Sequence, residues 1–154
     1  MSSFNLIADN SIEAIALTGS SLYVGGNFTS IGGVLRSRIA ALDAATGEVI
    51  IDFNPNANST VFALVVNGNT LYAGGDFTNI GGLARNRIAA LNTETGAVVP
   101  GFNLSINNTV SVLARRSNIL YAAGNFTDIS GLTRNRLAGI DISTGTVLSS
   151  FDPN

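Results

Sequence analysis

The 154-residue chain is 45% hydrophobic and only 12% charged, with a formal net charge of −2. So small a charged share with so much apolar content excludes a disordered chain, and the near-balanced charge excludes the concentrated basic surface that a nucleic acid requires. All eight basic residues are Arg, and Lys, His, Cys and Trp are absent. That removes the commonest general base, the thiolate nucleophile, the Schiff-base amine, any disulfide and the usual zinc ligands.

The opening "MSSFNL" lacks the charged and apolar regions of a signal peptide, so none is expected. No apolar run approaches the roughly 18 residues of a spanning helix, so no membrane association is expected either. The first predicted strand is "SIEAIAL" (Ser11 to Leu17), ended by a Gly-Ser turn. The second is "LYVGGNF" (Leu22 to Phe28), followed by a Gly-rich loop, "TSIGG". The third is "SRIAALD" (Ser37 to Asp43), followed by "AATG". The fourth is "EVIIDF" (Glu48 to Phe53), followed by "NPNANS". Short strands bounded by Gly, Pro, Asn and Ser at this spacing predict an all-β fold.

The set then repeats. Tyr23, Tyr72 and Tyr121 are 49 residues apart, as are Phe28, Phe77 and Phe126, and Phe53, Phe102 and Phe151. Phe4 lies one period before Phe53, and Phe62 alone among the aromatics is out of phase. "LYVGGNFTSIGG" returns as "LYAGGDFTNIGG" and "LYAAGNFTDISG". The third hairpin is Asp43-Ala-Ala-Thr-Gly47, Asn92-Thr-Glu-Thr-Gly96 and Asp141-Ile-Ser-Thr-Gly145. Here an Asp or Asn caps backbone N–H groups and the Gly takes a positive φ to close the turn.

Three units of four strands fit either a β-trefoil or three blades of a β-propeller. In Val61-Phe-Ala-Leu-Val-Val66 both faces are apolar, and Leu71–Gly75 and Arg87–Leu91 do not alternate cleanly. A sheet with one wet face alternates, whereas a blade is covered on both faces. The expected architecture is therefore three four-stranded antiparallel blades in a single repeat domain over 1–154. Their bounds are about 5–53, 54–102 and 103–151, with the trefoil as the alternative.

The unit "LYVGGNFTSIGGVLRSRIAALDAATGEVIIDFNPNANSTVFAL" resembles bacterial β-propeller repeats of the kelch and galactose-oxidase-like group. It is similar above all to repeats of large surface or secreted proteins, many without an assigned function, and the resemblance runs from Phe4 to Asn154. It implies a secreted or cell-surface parent. "LDAATGEV" is also similar to quinoprotein dehydrogenase propeller repeats, a likeness of fold rather than activity. The third unit departs from the pattern at Ala123, Ser130 and Gly139, and the trefoil's Gln-x-Trp signature is missing.

Propellers close with about four to eight blades, so three leave two apolar faces bare, and such faces seek partners. The expected partner is the chain itself, as a homodimer of six blades, with a homotrimer of nine as runner-up.

Two sets of residues are candidate ligand sites. Arg36 and Arg38 recur as Arg85 and Arg87 and as Arg134 and Arg136. Two residues apart on a strand they would form a fork on one face, suited to a carboxylate or phosphate, or to loop carbonyls and a neighbouring Asp. Asn27, Asp76 and Asn125, each followed by Phe and Thr, could meet a sugar hydroxyl or cap a turn. Calcium prefers several carboxylates, and only Asp76 is acidic at this phase, so no metal is expected. Five sequons, at Asn27, Asn58, Asn103, Asn107 and Asn125, read as incidental. No two of Glu13, Glu48 and Glu94 share a phase, so no paired carboxylates emerge for acid–base work. The sequence thus points to a non-catalytic structural or interaction module without cofactor, either a propeller fragment or an engineered propeller, that self-assembles into a ring. The alternative is a carbohydrate-binding module with repeated sites between blades.

Overall fold

The structure, a computed structural model, describes residues 6–153. Phe4 lies outside them. Among the described residues no helix is present and 49% are in strands or bridges. Unit one holds β1 (Ile12–Thr18), β2 (Ser21–Gly26), β3 (Ser30–Ile31), β4 (Val34–Leu35) and β5 (Ile39–Asp43). Unit two holds β6 (Val61–Asn67), β7 (Thr70–Gly75), β8 (Asn79–Ile80), β9 (Leu83–Ala84) and β10 (Ile88–Asn92). Unit three holds β11 (Val110–Arg116), β12 (Ile119–Gly124), β13 (Asp128–Ile129), β14 (Leu132–Thr133), β15 (Leu137–Asp141) and β16 (Thr146–Val147).

Each unit is its own antiparallel sheet, ordered β1-β2-β5, β6-β7-β10 and β11-β12-β15-β16. Within each sheet a tight turn joins the first two strands and a longer loop the second and third, and Asp43, Asn92 and Asp141 cap the third hairpin as its spacing predicts. A trefoil, with its strands shared around one barrel, is set aside by these separate sheets. The first hairpin of each unit carries a bulge, with Ile12 opposite Gly26 but Ala14 opposite Gly25. The extra residue is Glu13, and Phe62 and Ser111 occupy the same place in units two and three. A bulged residue is left out of the ladder, which explains why Phe62 escapes the aromatic period.

Two predicted segments differ from what forms. The loop after the second strand is a miniature hairpin, β3-β4 and its copies, turned by two residues of left-handed φ (Gly32 +57°, Gly33 +77°). Ser130 holds the same conformation in unit three at φ +52°. Its Oγ accepts from the Ser105 N–H at 3.0 Å, a bond a glycine could not make, which offsets strain that a glycine would not have. The fourth strand, expected over Glu48–Phe53, shrinks to single bridges Leu42–Val49 and Leu91–Val98 and to the two-residue β16. Beyond Ile50 the chain turns so that Phe53 enters the core, where its ring meets Tyr23 edge-on at 5.2 Å; Tyr72–Phe102 and Tyr121–Phe151 repeat the contact at 5.3 Å. The burial of an aromatic ring outweighs two more ladder bonds at a sheet edge.

The sheets stack face to face. Tyr23, Ile39 and Ala41 of unit one are buried in one cluster with Val61, Leu64 and Leu91 of unit two. Tyr72, Ile88 and Ala90 of unit two share the next with Val110, Leu113 and Ile140 of unit three. Both faces of the middle sheet are dry, which is why its strands do not alternate.

Candidate interaction surface

The segment linking one unit to the next lies along the following unit's miniature hairpin, through the bridges Ala8–Ile31, Ala57–Ile80 and Ile106–Ile129. Within it, Asn58 Oδ1 accepts from the backbone N–H groups of Thr78 (2.9 Å) and Asn79 (3.0 Å). Asn107 does the same for Thr127 and Asp128 at 3.0 and 3.1 Å. Asp9 does it for Thr29 and Ser30, and also accepts from the Thr29 hydroxyl. The three donors hold the Asp9 carboxylate down at a pKa of about 2. The hydroxyls of Thr78 and Thr127 accept from Asn58 and Asn107 at 2.9 Å. Each Thr side chain of the Asn/Asp-Phe-Thr phrase is therefore engaged by its own linker. Sequence reasoning missed Asp9, Asn58 and Asn107, although their 49-residue spacing was there to be read.

Asn27, Asp76 and Asn125 stand just beyond the ends of β2, β7 and β12 and act across the interface. Asn27 Oδ1 accepts from the Thr60 hydroxyl of unit two at 3.3 Å, and Asp76 accepts from the Thr109 hydroxyl of unit three. Asn125, at the end of the stack, is exposed.

The Arg pairs do not form forks. Both members precede the third strand, and Arg38, Arg87 and Arg136 have left-handed φ of 68–70°, which breaks the period-two geometry of a strand. Arg36, Arg85 and Arg134 are turned inward, with Arg36 only 5% exposed. Arg36 donates to the carbonyls of Leu35 and Ile51 at 2.8 Å, and Arg134 to those of Thr133 (2.7 Å) and Leu148 (3.2 Å), with Asp152 at 3.6 Å. Burial lowers the Arg36 pKa. Arg36 and Arg134 thus each take up one carbonyl, that of Ile51 or Leu148, that the shortened fourth strand leaves without a ladder partner, while Arg85 donates to the Ala84 carbonyl. Arg38 and Arg87 donate to the carbonyls of Phe28 (3.2 Å) and Asp76, while Arg136 is exposed.

Equivalent clefts open between adjacent units. The first, about 410 Å³, is lined by Ser21, Tyr23, Asp52, Thr93 and Glu94. The second, about 310 Å³, is lined by Thr70, Tyr72, Gly101, Ile142 and Ser143. The Tyr23 hydroxyl crosses the first to donate to the Thr93 carbonyl at 2.8 Å. Among the described residues no three metal-ligating side chains gather, and no helix is long and apolar enough to cross a membrane.

The two outermost faces are apolar, and none of the described residues covers them. Ile15 is 66% exposed, whereas its equivalents Leu64 and Leu113 are 8% exposed beneath the preceding sheet. Ile12 is 42% exposed against 0% for Val61 and Val110. At the other end Val112 is 56% exposed, and Tyr121 and Phe151 are partly open although Tyr23, Phe53, Tyr72 and Phe102 are buried.

Residues 21–51 match the profile of a β-propeller domain family of unknown function, DUF5122. The chain superimposes on the computationally designed Ika4 protein with a TM-score of 0.65 at 21% identity, covering 95% of this chain and 75% of that one. The three units are β-propeller blades. Two further structures agree on the fold. The computationally designed Ika8 protein aligns at a TM-score of 0.58 and 20% identity, over 90% of this chain and 35% of that one. The extracellular domain of the one-component system BT4673 from B. thetaiotaomicron aligns at 0.54 and 16%, over 92% of this chain and 17% of that one. Identities this low speak for the blades and their stacking alone. No curated protein matches the chain.

Proposed function

We propose that the protein is a non-catalytic interaction module whose three blades close into a ring with a second copy of the same chain, head to tail. The observation that carries this reading is the correspondence between its two free faces and its two internal interfaces. Blade 1 presents at Ile12 and Ile15 what blades 2 and 3 bury at Val61, Leu64, Val110 and Leu113. Blade 3 presents Tyr121 and Phe151, whose counterparts in blades 1 and 2 cover those residues. Each internal interface is thus a template for the open ones. Two copies give six blades, within the usual range, whereas three give nine.

Light scattering on a sizing column tests it. A mass near twice 15.8 kDa is expected. A mass near three times 15.8 kDa would replace the dimer by the nine-bladed trimer, and a monomer at every concentration would overturn the closure.

A second reading, carbohydrate binding, draws on the two inter-blade clefts, where an aromatic ring adjoins hydroxyls, joined in the first cleft by the carboxylates of Asp52 and Glu94. Titration with millimolar monosaccharides, followed by tyrosine fluorescence, tests it. A saturable change abolished by Tyr23→Ala would support it, and no change at any sugar concentration would remove it.

A further inference from the structure

The paired glycines of "LYVGG" have separate duties. A Cβ at the second, Gly26 or Gly75, would collide with a carbonyl oxygen of its own blade, that of Ser11 or Thr60, and Gly124 meets the Thr109 carbonyl in the same way. This glycine belongs to the bulge and is present in all three blades. A Cβ at the first would meet the neighbouring blade instead. At Gly25 it would lie 2.7 Å from Val61 Cγ1, and at Gly74 2.6 Å from Val110 Cγ1. The first glycine is replaced in one blade only, by Ala123, on the face that no blade of this chain covers.

Applied to the seam of the ring proposed above, the period pairs Asn125 with Ser11 of the second copy, as Asn27 pairs with Thr60. It pairs the Tyr121 hydroxyl with the Ala44 carbonyl of the second copy, as Tyr23 pairs with Thr93. Both pairings keep their chemistry. The third does not. Ala123 faces Ile12 of the second copy, so a methyl stands where the internal interfaces have none, opposite a side chain larger than Val61 or Val110. At internal spacing the two overlap, and an overlap of this kind in a packed interface is destabilising. We propose that Ala123 sets the strength of the seam by holding the two copies farther apart than neighbouring blades of one chain, which makes the ring a reversible assembly. This inference rests on the closure reading and adds the residue that governs it.

The test is sedimentation equilibrium of the full chain and of Ala123→Gly and Ala123→Val across nanomolar to high-micromolar concentration, with folding of each checked by circular dichroism. Ala123→Gly is expected to lower the dissociation constant by about tenfold or more and Ala123→Val to raise it. A wild-type chain that is monomeric while Ala123→Gly dimerises would support the role of Ala123 and overturn closure for the wild-type chain. A wild-type chain that dimerises with an affinity unmoved or weakened by Ala123→Gly would overturn this inference and leave the ring standing. Monomers throughout would overturn both.

Discussion

The hydrogen-bonding side chains of this protein hold its own backbone. Asp9, Asn58 and Asn107 perform one task, the capping of a miniature hairpin, yet only Asp9 can lose a charge while doing so. Its folded pKa, about 2, lies below the ordinary value of 3.8. The resulting stabilisation is complete above the unfolded value and is lost as pH falls from about 4 toward 2. Asp43 is depressed in the same direction by the backbone N–H groups of its hairpin, and Asp141 by the Ser143 hydroxyl together with backbone N–H groups. Urea midpoints between pH 5 and pH 2 should therefore fall with acidity, and Asp9→Asn should shallow that fall while keeping an amide oxygen for the cap. An unchanged slope in Asp9→Asn would show that Asp9 is not a source of it. Gly75→Ala, which sets a methyl against the Thr60 carbonyl, should cost about 2–4 kcal/mol in chemical denaturation.

Each fourth strand is brief because the chain leaves the sheet to set Phe53, Phe102 or Phe151 against a tyrosine ring, and in units one and three a buried Arg donates to a carbonyl so exposed. In unit one Arg36→Ala would strand the carbonyls of Leu35 and Ile51. The loss should be about 3 kcal/mol, read from the denaturation midpoint, with unchanged m-value if the fold survives intact. The linkers can be probed separately. Asn58→Ala removes the acceptor for the Thr78 and Asn79 N–H groups. Amide exchange at these two residues should quicken at least several-fold while the amides of β7 keep their protection. Uniform acceleration across the blade would mean that the hairpin and the sheet open together.

For the whole molecule the deciding feature is the mismatch between three blades and a ring. Two blade interfaces are complete and two half-interfaces are open, with Ile15 and Val112 exposed at opposite ends. If a second copy covers them, folding is linked to association, and the thermal midpoint should rise with protein concentration. A Ile15→Lys variant places a charge on the free face of blade 1, where the internal packing of the chain makes little use of it. It should abolish that concentration dependence and yield a monomer by light scattering, with the monomer's own stability little altered. If Ile15→Lys unfolds the chain instead, Ile15 matters to the blade itself rather than to closure.

Much of this was legible from residues alone. The 49-residue period, the Gly-Asn-Ser boundaries and the apolar pairs such as Val61-Phe62 favoured blades covered on both sides over a trefoil, because the strand period and the cost of wet apolar surface act locally. Asp43 and Gly47 announced their hairpin because capping and positive φ are short-range properties. The Arg forks were misleading, since a left-handed φ at Arg38 reverses the side-chain direction that strand geometry predicts, and nothing in "RSR" signals it. The shortened fourth strand was equally hidden, because the pull on Phe53 comes from Tyr23, thirty residues earlier. The two glycines of "LYVGG" look alike in sequence. Only the stacking of the sheets separates the one that avoids its own strand from the one that avoids Val61, because steric exclusion between residues distant in the chain exists only once the fold has brought them together.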